Sequence, residues 1–244
     1  MKASTIAVML FAMVACGGGS GGDNASATAP AGPAAVAKAA PKPVLITQYG
    51  DSTTAGYYKA ASGKYEIYDN APWKMLQTSL QAQFGPSVTV QLYAQGGASL
   101  RDLLQGTGSF PKPLSVGIKD DPAQIVTIRF GLNDSSQYDV GTYKGYLVEA
   151  VQIMQAAGKI VVLEQITPTI NYPQGNGQQF ADAVDQVAAQ FGIPVVKTYS
   201  GTAAIPGWSA LLSDDMHPTD ALYQKISDEQ IPVLAPLVEN LMRG

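Results

Sequence analysis

Ile125-Val126-Thr127-Ile128-Arg129-Phe130-Gly131-Leu132-Asn133-Asp134 is the stretch on which the reading of this chain turns. It opens as a short, nearly continuous apolar run, the pattern of a strand covered on both faces, and such strands belong to parallel sheets. It then stops at a glycine followed by polar residues. Comparable runs stand at Val44-Leu45-Ile46, Val88 to Tyr93, Ile160 to Leu163 and Ile193 to Val196. Between them lie amphipathic stretches. Pro72 to Phe84 carries Trp73, Leu76, Leu80 and Phe84 at helical spacing, and Tyr143 to Ala156 carries Leu147, Val151 and Met154 before Gly158 closes it. Further helices are expected from about Gln178 to Gln190 and from Thr219, with Pro232 breaking the last one and restarting it as a first-turn residue. Strand and helix alternating in this way predict an α/β domain over residues 44–244, built on a parallel sheet of about five strands.

Right-handed crossovers bring the C-terminal ends of parallel strands to one edge, and ligands bind in the crevice there. Chemistry is therefore sought just after each apolar run. Gly50-Asp51-Ser52 follows the first, Gln95-Gly96-Gly97 the second and Gly131-Leu132-Asn133-Asp134 the third. Asp214-Asp215-Met216-His217-Pro218 lies after the fifth, before the final helix, and His217 is the only histidine in the chain. An imidazole titrates near working pH and is the commonest general base. Asp214 is placed to reach back to one ring nitrogen, leaving the other to take a proton from a nucleophile, for which Ser52 is the candidate. A lone histidine is more often a packed or surface residue, so the weight here comes from its companions.

Composition narrows the alternatives. The 244 residues, 46% hydrophobic, suffice for one ordinary domain. A formal net charge of -4 without a basic stripe gives no footing for a nucleic-acid partner. One cysteine and one histidine exclude an internal disulfide, a cysteine-rich metal site and a two-histidine zinc motif, so no metal is expected. Residues 1–15 read as an export signal, with Lys2 before an apolar run from Ile6 to Val14 that is too short to span a bilayer. Met13-Val14-Ala15-Cys16 resembles a bacterial lipobox, although leucine is commoner where Met13 stands. That resemblance implies a lipid on Cys16, attachment to the membrane through this anchor only and, with Gly17 following, forwarding to the outer membrane. Residues 16–43 are Gly, Ser, Ala and Pro with almost no large apolar side chain, the composition of a flexible tether. Gly18 to Gly22 fits Gly-x-Ser-x-Gly, and Gly17, Gly19 and Gly22 fit Gly-x-Gly-x-x-Gly, but neither follows a strand or opens a helix, so both are fortuitous.

Four pieces in order resemble the SGNH hydrolases, the GDSL esterase and lipase family: Gly50-Asp51-Ser52-Thr53-Thr54-Ala55-Gly56, Gly96, Gly131-Leu132-Asn133-Asp134, and Asp214 with His217-Pro218. The resemblance covers essentially all of residues 44–244. It implies a three-layer α/β/α fold of flavodoxin-like type and hydrolysis of esters or thioesters without a cofactor. Ser52 would be the nucleophile, His217 the base and then the acid, and Asp214 the group orienting the imidazole, a division of labour that suits a hydroxyl needing a base during attack. The oxyanion would be held by the N–H groups of Ser52 and Gly96 and the amide of Asn133. Ala94 stands where the family commonly has asparagine, and Gly97 is an alternative donor. Asp215 neighbours Asp214, but the family spacing selects Asp214. Asp51 and Asp134 read as turn or helix-start carboxylates.

The substrate is less legible. Tyr57, Tyr58, Tyr138, Tyr172 and Trp208 are expected near the crevice mouth, where an aromatic face serves a sugar or an acyl chain equally well. No long apolar lid is apparent. The expectation is a serine esterase acting on small or medium acyl esters at the cell envelope. A carbohydrate O-acetylesterase is the alternative within that class, and a non-catalytic glycan- or protein-binding envelope lipoprotein the alternative outside it.

Overall fold

The structure, a computed structural model, describes residues 42–170 and 177–243. Cys16, the export signal, nearly all of the tether and Tyr172 lie outside the described residues.

Five parallel strands form one sheet: β1 (Val44–Gly50), β4 (Val88–Ala94), β5 (Ile125–Arg129), β6 (Ile160–Glu164) and β7 (Val195–Val196), in the order β4-β1-β5-β6-β7. A separate antiparallel hairpin pairs β2 (Tyr57–Lys59) with β3 (Tyr65–Ile67). One face of the sheet is covered by α2 (Pro72–Phe84) and α8 (Asp220–Arg243), whose Leu76, Leu80, Leu234 and Val238 pack on Ile46, Ile125 and Val162. The other is covered by α3 (Leu100–Gln105), α5 (Val140–Ala156) and α6 (Gly177–Phe191), with Leu103, Leu147, Val151 and Val184 against Tyr49, Val126 and Ile128. This is the parallel-sheet α/β domain that the alternating pattern predicts, in the three-layer α/β/α form that the family resemblance implies. The strand order reverses between β1 and β5, which is where a crevice opens at the carboxyl edge.

Two expectations are corrected. The last helix runs unbroken from Asp220 to Arg243 through Pro232 and Pro236. Both prolines are exposed, so the carbonyls that lose an N–H partner face water, while Ile226, Leu234 and Val238 hold the opposite side against the core. The fifth strand shrinks to two residues, because Pro194 has no N–H to contribute and only its carbonyl bonds to Leu163 N–H, at 3.1 Å.

Register sets the working edge. Gly50 pairs with both Ala94 and Arg129, so three strands end at one level and release three loops side by side. Two of those loops are fastened together. The Asp134 carboxylate, fully buried, accepts the N–H of Leu100 at 2.9 Å and so caps the start of α3 from another segment. Asn133 Nδ2 donates to Ala98 O at 2.9 Å. Arg129, 2% exposed, donates from Nε to Thr54 Oγ1 (3.1 Å) and from Nη2 to Thr53 O (2.7 Å). Its Nη1 lies 3.7 Å from Glu164, which in turn accepts from Gln230 Nε2 of α8 at 2.9 Å. One guanidinium thus links β5, β6, α8 and the short helix α1 (Ser52–Ala55).

Burial pushes the Asp134 carboxyl up to about 7, against 3.8 in the open, with hydrogen bonds from backbone N–H groups opposing and the charge of Asp51 adding to the rise. Between those two values the folded chain holds a proton that the unfolded chain has released. Stability from this group is therefore complete below about pH 4 and is lost as pH rises through about 7. Asp134→Asn keeps an acceptor for Leu100 and never ionises. Its stability relative to the natural protein should rise by on the order of a few kcal/mol between acid and mildly alkaline pH. Urea unfolding of both proteins at the two pH values checks this, and a constant difference would contradict it.

Candidate active site

The first strand ends in a sharp turn that only glycine permits. A β-carbon on Gly50 would sit 2.0 Å from Thr54 Oγ1, so the chain can fold straight back into α1 only without one. Asp51 caps that helix, accepting the N–H and Oγ of Thr53 at 2.8 and 2.7 Å. Burial pushes the Asp51 carboxyl up, and the Thr53 hydrogen bonds and the Arg129 charge oppose the rise. Asp51 is thus a helix-start carboxylate, and its cap turns Ser52 toward the crevice.

Ser52 Oγ lies 3.0 Å from His217 Nε2, although 165 positions separate the two residues. His217 Nδ1 lies 3.0 Å from Asp214 Oδ2. The other oxygen, Oδ1, accepts the backbone N–H groups of Met216 at 2.8 Å and His217 at 2.5 Å. One carboxylate thereby shapes its own loop and faces the imidazole. A carboxylate can only accept, so Nδ1 carries the proton and Nε2 presents its lone pair to the serine. Burial raises the Asp214 carboxyl, but the His217 and Met216 hydrogen bonds outweigh it and hold the group below the usual carboxylate value. The loop is closed at its base by Ser213 N–H to His217 O (2.7 Å) and by a bridge between Leu212 and Pro218. Ser52 and His217 are each 7% exposed, enough to be touched from the crevice. Asp215 bonds through its carbonyl to Ile170 N–H at 3.0 Å, while the carboxylate at Nδ1 is that of Asp214.

Candidate donors lie in the loops that leave the neighbouring strands. After β4, Ala98 N–H bonds to Gln95 O across a turn whose third residue, Gly97, has φ 77°, a left-handed conformation that favours glycine. The N–H groups of Ser52, Gly96 and Gly97 bond to no partner among the described residues. Asn133 makes no side-chain cap to the 3-10 turn it precedes; one of its amide hydrogens is used on Ala98 O and the other remains. Fixed N–H donors grouped around a serine–imidazole pair can stabilise negative charge developing on a carbonyl oxygen. Among the described residues no three His, Cys, Asp or Glu side chains gather as a metal site.

The aromatic expectations divide. Tyr57 lies at the site, its ring within 3.2 Å of where a β-carbon on Gly96 would stand. Tyr58 turns away, stacked on Tyr68 at 3.9 Å and bonded to Glu66. Tyr138 pairs with Arg101 and Tyr146 on the outer side of the third loop, and Trp208 opens a 3-10 turn (Trp208–Leu211) before the His217 loop. Two residues escaped the sequence reading. Tyr65, whose ring centroid lies 5.1 Å from that of His217, sits in a three-residue strand with no apolar period to announce it. Arg129 was visible as a charge inside an apolar run, a signal of a buried partner.

Solved structures share this fold. A lipase/acylhydrolase from Enterococcus faecalis is 20% identical with a TM-score of 0.66, over 80% of this chain and 96% of that one. A psychrotrophic esterase from Pseudoalteromonas sp. is 21% identical with a TM-score of 0.61, over 80% and 98%. An acetylxylan esterase from Geobacillus stearothermophilus is 18% identical with a TM-score of 0.62, over 80% and 95%. At these identities the likeness is one of fold. No curated protein sequence matches the chain. The sequence model of the GDSL-like lipase/acylhydrolase family matches residues 49–225, which span every segment of the site just described. This protein belongs to that family and is a carboxylic ester hydrolase.

Proposed function

We propose that Ser52 is the nucleophile of a serine esterase, with His217 as base and then acid and Asp214 orienting the imidazole. The observation that carries this reading is the pair of 3.0 Å contacts from Ser52 Oγ to Nε2 and from Nδ1 to Asp214. Attack forms the bond from Oγ to the acyl carbon while His217 takes the serine proton and passes it to the departing alcohol. Water then cleaves the acyl-enzyme with the same base. The oxyanion is held by the N–H groups of Ser52 and Gly96 and by Asn133 Nδ2. The substrates are esters of small or medium acyl groups, since Tyr57 fills the space directly beside Gly96. A carbohydrate O-acetylesterase is the second reading, favoured by the exposed ring of Tyr65 beside His217.

The enzyme works at the bacterial cell envelope in this reading. Support comes from Lys2, the apolar run ending at Val14 and the Met13-Val14-Ala15-Cys16 stretch, which together fit export, lipidation of Cys16 and tethering through residues 16–43, with the outer membrane as the destination. Among the described residues no helix is long and apolar enough to cross a membrane, and attachment through the lipid alone needs none.

An organophosphonate should label Ser52, and Ser52→Ala should abolish both labelling and p-nitrophenyl ester cleavage; a fully active Ser52→Ala protein overturns the assignment. Removing one oxyanion donor costs about 2.7 to 4 kcal/mol, so Asn133→Ala should lower kcat by about a hundredfold or more with a much smaller effect on KM. Steady-state kinetics on p-nitrophenyl acetate measures both parameters.

A further inference from the structure

The β2–β3 hairpin stands over the catalytic residues, and its register sorts its side chains. Tyr57 pairs with Ile67, Tyr58 with Glu66 and Lys59 with Tyr65, so Tyr57, Lys59, Tyr65 and Ile67 share one face and Tyr58 and Glu66 the other. The second face is used up internally by the Tyr58 contacts to Tyr68 and Glu66. The first face borders the chemistry at two points, with Tyr57 against Gly96 and the Tyr65 ring 5.1 Å from the His217 ring at 57°. The hairpin is also fixed to the base loop. Lys59 N–H donates to Ser213 Oγ at 3.0 Å, and that hydroxyl donates to His217 O at 3.0 Å. Tyr223 OH of α8 donates to Tyr57 O at 2.7 Å. On this anchored face Tyr65 is 54% and Ile67 48% exposed, an apolar surface left open beside the imidazole.

Chemistry says which part of a substrate meets that surface. The carbonyl oxygen faces Ser52, Gly96 and Asn133. The departing oxygen must lie at His217 Nε2, because the proton removed from Ser52 is delivered there as the bond from acyl carbon to alcohol oxygen breaks. The carbon skeleton of the alcohol therefore extends along the flank of the imidazole, where Tyr65 stands. Its phenol lies beside the Asp214 carboxylate; burial, that charge and a hydrogen bond to it push the hydroxyl above its ordinary value. Lys59 is exposed on the same face. An apolar ring surface rimmed by a hydroxyl and an ammonium suits an alcohol with a flat C–H face and a hydroxyl edge.

We propose that the Tyr65–Ile67 face of the hairpin is the leaving-group subsite and that it takes a pyranose ring, making Tyr65 a specificity-determining residue for glycan esters. This deepens the serine-esterase reading and rests on it. An alkyl acyl chain is the occupant that the placement disfavours, since it would leave the carbonyl on the wrong side of the serine.

The test holds the acyl group constant and varies the alcohol. The ratio of kcat/KM for an acetylated methyl xylopyranoside to that for ethyl acetate should fall about tenfold in Tyr65→Ala and survive in Tyr65→Phe, which keeps the ring. An unchanged ratio in Tyr65→Ala, with both substrates falling together or neither, overturns the proposal, because a purely structural effect on His217 would slow both equally. A loss that instead follows acyl length in esters of one alcohol overturns it too, by putting Tyr65 on the acyl side. A binding arm needs no turnover. Methyl xylopyranoside should show saturation transfer by NMR from Ser52→Ala protein and lose it in the Ser52→Ala/Tyr65→Ala double variant, and a signal that persists there counts against the subsite. Absence of hydrolysis in both alcohol series together with unlabelled Ser52 in the natural protein would instead refute the esterase reading, whatever the sugar does.

Discussion

Everything at the working edge depends on three neighbouring strands ending at one level. Gly50 of β1 stands in register with Ala94 of β4 and Arg129 of β5, so the loops that follow leave the sheet within reach of one another. A slip of one residue in any of these strands would turn its side chains to the other face and carry its loop away. Register is held by the burial of both faces and by Arg129, whose charge is tolerable inside the protein only because Thr53, Thr54 and Glu164 surround it. Taking away one partner of such a buried charge typically costs about 3 to 5 kcal/mol, which makes the network far stiffer than a surface pair. That stiffness is passed to Ser52, since α1 is bonded to the guanidinium through its second and third residues.

The His217 imidazole is held by a different device. Asp214 uses one oxygen to curl its own loop and the other to fix the ring, so loop shape and proton position cannot vary independently. The serine side is held because α1 is bonded to the buried Arg129, and the histidine side because its loop is self-bonded. The hairpin joins them from above through Lys59, Ser213 and Tyr57.

How much of this was legible in the sequence follows from which features are periodic and which are not. Buried strands and covered helices leave long apolar patterns, so Ile125 to Arg129, Pro72 to Phe84 and the sites just after the strands could be placed from residues alone. Ser52, Asp214 and His217 stood out because motifs at strand ends converge in space. The hairpin gave no such warning, since its two strands have three residues each, four of those six residues are exposed, and only the turn around Ser62-Gly63 marks it. Local rules misled at Pro232, where the core-facing side of α8 decided the outcome over the missing amide. Asp134 reads as a cap in either view, but only the fold reveals that the helix it caps is α3, begun 34 residues earlier.

Ser52 and His217 lie near opposite ends of the domain's sequence, and α8, which begins three residues after His217, packs against α2 and the first strand. A nascent chain emerging from the ribosome thus carries its hydroxyl long before the imidazole has anything to press against. The Ser52–His217 contact requires the loop that precedes the C-terminal helix to lie over α1. A chain cut short before His217 retains the Ser52 hydroxyl without the imidazole that contacts it.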